Sequence, residues 1–234
     1  MIYKQGSGRV VGQLELLNVA AHGSLRMRAD VAEHPPFAMI TLNEFPAAAA
    51  VCPIFFAKDP ETGDFYAGAM FGFRADELLV EGADTGKTRF RPLELQRQGF
   101  FISDENIAVD VGHPRFGTGA SVALFEEDGQ PSDAMRNVQR ALGQLKAGVD
   151  ATRDFIRALL DLKLIEPIDI NLRFDDGEKL RLEGLYTVSR DGLSELDDAQ
   201  VIDLFRSGYL QAAHCMTLSL NQVAVLAERR NARL

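Results

Sequence analysis

The sequence predicts an α+β protein: an antiparallel, β-rich N-terminal half, then a long amphipathic helix, a β-hairpin and two C-terminal helices. Three observations carry that expectation. Two pairs of short apolar runs, "CPIFFA" with "YAGAMFGF" and "IDINLRF" with "KLRLEGLYTV", are each joined by a polar turn containing Asp and Gly. An apolar stripe at heptad spacing runs from Met135 to Leu159. Capping residues frame a further helix between Asp197 and Gly208.

Taken in order, the first dozen residues, with Gly6, Gly8 and Gly12, read as a loose or strand-like lead-in. "FAMITL" (37–42) reads as a buried strand. "NEFPAAAA" (43–50) suits a short helix with Asn43 as N-cap and Pro46 in its first turn. In "KDPETGD", Pro60 presets φ for the first corner of a turn and Gly63 supplies a positive φ at the exit. Asp59 can accept a bond from the backbone two residues on. The acidic residues Asp59, Glu61 and Asp64 therefore read as a hairpin tip, because they lack the alternate carboxylates and distal Glu of a calcium loop. Gly68 and Gly72 in the returning strand mark a bulge or a close backbone approach.

Residues 74–110 mix short helical and strand signals, ending in the alternating "IAVDV" (107–111). Turn formers crowd residues 112–131, a seam between a β-rich part (1–131) and a helix–hairpin–helix part (132–234). From Ser132 the stripe Met135, Val138, Leu142, Leu145, Val149, Thr152, Ile156, Leu159 alternates steps of three and four. Burying eight such side chains stabilises by roughly 10–20 kcal/mol gross, so the stripe must be covered by the chain itself or across a homodimer through the 132–163 helix. Gly143 and Gly148 each cost about 1 kcal/mol relative to Ala, which allows a kink near Gly148. Glu166-Pro167 is expected to end this helix. Asp176-Gly177 turns the following hairpin, and Gly184 is a candidate bulge. Asp197 with Gln200 forms a capping box, and Gly208 is placed to end that helix. A last helix is expected over 215–230.

Composition bounds the function. A chain of 234 residues buries about 70–75% of its unfolded surface and needs no staples. A net charge of −9 argues against nucleic acid and anionic membranes as partners. Cys52 and Cys215, far apart, read as free thiols of a reducing cytoplasm. Neither a signal peptide nor a membrane-spanning run is legible; the most apolar stretch, 47–57, is about half the length needed.

Local chemistry is sparse. "GADTGKT" (82–88) falls one residue short of a phosphate-binding P-loop, and Pro92 follows where a helix must run. His22, His34, His113 and His214 form no metal-binding or hydrolase pair, and no cofactor or metal is implied. His214-Cys215 diverges on a helix. The best candidate is "DVGHPRF": Asp110, His113 and Arg115 stand at a strand end, with a histidine that titrates near neutral pH and an arginine suited to a carboxylate. Arg89, Arg91 and Arg97 offer an anion patch. The ligand-binding set is therefore Arg97, Asp110, His113 and Arg115, and the alternative for each is a turn with solvated charges.

A run of segments resembles the SapC family: "LLNVAAHGSLRM", "PIFFAKDPETGDF", "RPLELQRQGFF", "DVGHPRF", "ALFEEDGQPS", "TRDFIRALLDLKLIEPIDI", "DGEKLRLEGLYTVS" and "LFRSGYLQAAHCMTLSL". Together they cover about residues 14 to 230, as one SapC-like domain over 1–234. Gly99 departs from the pattern, which often has Pro there. The resemblance implies a bacterial protein linked to surface-layer, transport or modification systems, with no catalytic residues to carry over. The expectation is a non-catalytic binding or accessory protein with a protein or peptide partner. The alternative is an enzyme whose site is assembled around the Asp110-His113-Arg115 loop.

Overall fold

Residues 14–29, 35–75, 77–80 and 90–233 are described by a computed structural model. The expected lead-in, the segment 82–88 and Arg89 lie outside the described residues. The strands are β1 (Leu14–Leu16), β2 (Arg26–Met27), β3 (Phe37–Met39), β4 (Ile54–Lys58), β5 (Phe65–Met70), β6 (Phe100–Ser103), β7 (Asn106–Asp110), β8 (Val122–Ala123), β9 (Ile165–Arg173) and β10 (Lys179–Val188). The helices are α1 (Val19–His22), α2 (Phe45–Ala49), α3 (Leu93–Gln96), α4 (Asp133–Asp161), α5 (Arg190–Ser194), α6 (Asp198–Arg206), α7 (Tyr209–Ser219) and α8 (Gln222–Asn231). The class is α+β with antiparallel sheets, as the sequence predicts.

Packing groups the chain differently from composition. Met1–His34 with Arg91–Ala147 forms one compact unit, and Pro35–Phe90 with Gly148–Leu234 forms a second. The compositional seam at 112–131 falls inside the first.

In the first unit β7 lies between β1 and β6, with Leu16 opposite Ala108 and Phe100 opposite Val109. A separate ribbon pairs β2 with β8. Met135, Val138 and Leu142 of α4 complete a core with Met27, Phe100, Val109 and Leu124. Ser132 begins that helix: its hydroxyl donates to the Ala123 carbonyl and accepts from the Met135 N–H, at 2.7 and 3.2 Å.

In the second unit a sheet runs in the order β3-β5-β4-β10-β9. Leu185 pairs with Ala57 and Tyr186 with Phe56, so the two hairpins read separately from the sequence become one sheet. Phe155 of α4 lies within 5.8 Å of Phe45, 6.1 Å of Phe56 and 5.4 Å of Tyr209, centroid to centroid. Pro167 does not end α4, which stops at Asp161; Lys163 takes φ 56° and turns the chain out. Pro167 sits instead in the edge strand β9, paired with Tyr186, in the kind of strand that tolerates proline. The register shift after Leu182 falls at Gly184 as expected.

Elsewhere local signals resolve in detail. The 3₁₀ turn Leu42–Glu44 precedes α2, and the residue that organises it is Thr41, whose N–H and hydroxyl both donate to Glu44 Oε2. Asn43 is not the cap. The Asp197–Gln200 capping box forms, and Gly208 takes φ 77° between α6 and α7. The expected helix 215–230 is in fact two, divided near Leu220–Asn221. Ser219 stands just before that break, its hydroxyl donating to the Met216 carbonyl and accepting from the Ile54 N–H, which ties α7 to β4.

The stripe is covered within the chain: seven of its eight side chains are buried and Val149 is half-buried. A homodimer through this helix would have to use its charged outer face, where Arg136–Asp133, Arg153–Asp150 and Arg157–Asp154 pair three residues apart. Such exposed pairs contribute little, about 0.5 kcal/mol or less each.

The β4–β5 turn closes with Asp59 Oδ1 accepting from the N–H groups of Glu61 and Thr62, at 2.8 and 2.9 Å. Those bonds hold the Asp59 carboxyl below the ordinary carboxylate range. A lowered folded value means the turn's stabilisation is complete above the unfolded value, about pH 4, and fades as pH falls through the folded value. Carboxyl-resolved NMR is expected to show Asp59 titrating below the ordinary aspartate value of about 3.9. A midpoint at that ordinary value removes this role.

The cysteines are free. Cys52 is buried, its Sγ donating to the Ala48 carbonyl at 3.3 Å, and burial pushes its thiol up to about 12. Burial also raises the half-buried Cys215. A thiol reagent at pH 8 is expected to label Cys215 slowly in the native protein and Cys52 only after denaturation. Native labelling of Cys52 would contradict its burial.

Candidate functional site

Within the first unit, the one-turn helix α3 delivers the chain into Arg97-Gln98-Gly99, which lies against the end of β7. The Asp110 N–H donates to the Gly99 carbonyl at 2.9 Å, and a Cβ built on Gly99 would stand 2.8 Å from the Phe116 ring and 3.4 Å from the His113 Cβ. Arg97, Asp110, His113 and Arg115 therefore gather in one region. They are buried rather than solvated, with exposures of 4%, 4%, 3% and 5%.

Each of these side chains engages the chain's own architecture through part of its polar atoms. Arg115 Nη1 donates to the carbonyls of Gln96 and Gln98, at 2.7 and 3.0 Å, while its guanidinium lies 5.6 Å from the Phe100 ring centroid. Arg97 pairs with Glu94 through Nε and Nη2 and donates from Nη1 to the Phe100 carbonyl. Asp110 Oδ1 accepts from the Gly112 N–H, at 3.1 Å. His113 Nδ1 accepts from the Arg115 N–H, at 3.1 Å, which places the ring hydrogen on Nε2. In these contacts Arg115 latches α3 and the segment after it to the β7 loop, and Arg97 ties α3 to the start of β6.

The same loop forms one wall of an open cleft of about 410 Å³. Val111 and Phe116 line it from the loop, Glu15 from β1, His22 from α1, Leu25 from just before β2 and Arg26 from its first residue. That volume lies within the usual range for small-molecule sites. Local folding builds its polar side. Asn18 caps α1 by accepting from the Ala21 N–H at 2.8 Å, and the single turn brings His22 back over β1. His22 is buried, with Nδ1 3.2 Å from both N and O of Asn18. Its Nε2 stands 3.3 Å from Glu15 Oε2, a contact too poorly aligned to be a full hydrogen bond. Arg26 Nη1 donates to the carbonyls of Gly23 and Leu25.

Glu15, His22 and Arg26 were not candidates from the sequence. Only "LNVAAH", a cap residue followed four positions later by a histidine, hints that His22 returns to the strand before it. Among the described residues no group of three or more His, Cys, Asp or Glu is placed to hold a metal ion. None of the described helices is long and apolar enough to cross a membrane.

The SapC family model matches residues 17–226 of the chain. No curated protein and no solved structure matches it.

Proposed function

The chain belongs to the SapC family, and from that membership and the cleft we propose that it is a non-catalytic binding or accessory protein of a bacterial surface-layer, transport or modification system, acting in the cytoplasm. One observation carries the binding reading. The side chains best suited to catalysis, His113 and Arg115 with Asp110 and Arg97, are buried and hold backbone groups, whereas the open cleft beside them offers mixed polar and apolar walls. Groups that perform acid–base chemistry must reach a substrate within hydrogen-bond range. A concave face that combines polar groups with apolar surface suits recognition. The partner is a protein or peptide; the net charge of −9 disfavours nucleic acid.

Affinity capture with the tagged full-length chain from its native host tests this. A partner recovered in every replicate, and reduced when Val111→Glu places a charge in the cleft, supports the reading. Capture that returns no reproducible partner overturns it.

A further inference from the structure

We propose that the cleft of the first unit takes a small zwitterion, a molecule with an amine, a carboxylate and a hydrocarbon body. The proposal rests on the reading of this face as a binding surface and places a small ligand there in addition to the protein or peptide partner. Two opposite charges line the concavity without pairing with each other among the described residues. Arg26 is anchored through Nη1 to the carbonyls of Gly23 and Leu25. Its Nε and Nη2 meet no partner among the described residues, which leaves part of a donor fork that suits a carboxylate.

Glu15 stands opposite in sign. Its side chain is 45% exposed, and among the described residues its neighbour at salt-bridge distance is the buried His22 at 3.3 Å. His22 is fixed by the Asn18 backbone and stands beside the Glu15 carboxylate without a full hydrogen bond to it. A carboxylate can accept several hydrogen bonds, and this one keeps capacity for an ammonium group.

Charge decides between ligand classes. A simple anion would be drawn to Arg26 and repelled by Glu15, and a simple cation the reverse; a zwitterion satisfies both. The apolar part of the lining favours a hydrocarbon body. Leu25, Val111 and Phe116 supply it, and Val111 is one of the large apolar side chains left exposed, at 39%. Covering it gains the usual stabilisation of burying apolar surface.

Thermal-shift and calorimetric titration of the full chain, in the low-millimolar range, test the proposal. The probes are L-leucine and 6-aminohexanoic acid, which differ in charge separation, with N-acetyl-leucine and leucinamide as controls that each lack one charge. At least one zwitterion is expected to raise Tm and bind, and removal of either charge from it should weaken binding roughly tenfold or more. Glu15→Gln and Arg26→Gln are expected to weaken it similarly while keeping the wild-type circular-dichroism spectrum. The proposal is overturned if neither zwitterion binds, if N-acetyl-leucine binds as well as leucine, or if binding survives both substitutions. Partner capture without zwitterion binding overturns this proposal and leaves the accessory role standing; zwitterion binding without partner capture does the reverse.

Discussion

Replacing Arg115 with alanine is expected to destabilise the first unit by about 3–5 kcal/mol. The substitution strips the Nη1 donor from two carbonyls, those of Gln96 and Gln98, in a region where Gln98 is itself buried. A buried acceptor left without a partner costs about 1–3 kcal/mol, and the guanidinium's packing near Phe100 is lost as well. At about 2–4 °C per kcal/mol for a chain of this size, the melting transition should fall by roughly 6–20 °C. Arg115→Lys keeps a charge but not the planar fork, and is expected to recover only a minor part. Thermal and urea denaturation followed by circular dichroism measure this. A loss below about 1 kcal/mol would mean that Arg115 is not the latch described, and would return it to the role of a ligand-binding cation. The outcome therefore separates two readings of one residue: a structural arginine fails in stability, and a binding arginine fails in affinity.

The ease with which each feature is read from the sequence follows from the range of the interaction that creates it. Turn and cap chemistry acts over two to four residues, so the Asp59–Asp64 tip and the Asp197–Gln200 box were legible in full. The stripe from Met135 to Leu159 was legible because helical periodicity needs no knowledge of its partner. Its partners were not: Met27, Phe100, Val109 and Leu124 come from other elements of the same unit. The pairing of β10 with β4 was equally hidden, since two hairpins with apolar strands carry no local sign that they share an edge. The division of the expected helix 215–230 was missed because Ser219 is held by the Ile54 N–H, a contact 165 positions away.

The candidate site divides in the same way. Asp110, His113, Arg115 and Arg97 were found because polar residues at a strand end stand out by type. Their burial was not foreseen, because it depends on Gln96–Gly99 folding against the loop. Glu15 and His22 were not foreseen as a pair, since seven positions separate them in sequence and only the turn of α1 brings their side chains to 3.3 Å.

Gly143 and Gly148 are indistinguishable in the sequence, each an apparent weakness in α4, and they are expected to respond to substitution with opposite signs. The helix runs through both without a break. Gly143 is exposed, and a Cβ built there meets nothing within 4 Å. Gly143→Ala should therefore stabilise by about 0.5–1 kcal/mol through helix propensity alone. At Gly148 the same atom would lie 2.7 Å from Thr41 Cβ and 2.9 Å from its Cγ2 and Oγ1. Thr41 cannot retreat cheaply. It is buried, and its N–H and hydroxyl both donate to Glu44 Oε2, at 2.8 and 2.9 Å. The Leu42 N–H beside it donates to Thr152 Oγ1, whose own hydrogen goes to the Gly148 carbonyl, so the helix and the Thr41 turn are joined where a side chain would push them apart. Gly148→Val adds a branched side chain at this contact and should destabilise by about 2–4 kcal/mol, the sum of overpacking and weakened hydrogen bonds. Gly148→Ala gains the same helix propensity as Gly143→Ala but meets the clash, and should fall between neutral and about 2 kcal/mol destabilising. Parallel denaturation of the three variants measures the difference. If Gly148→Ala stabilises as much as Gly143→Ala, the close approach of Thr41 to α4 is wrong, and with it the account of how the second half of this helix is seated.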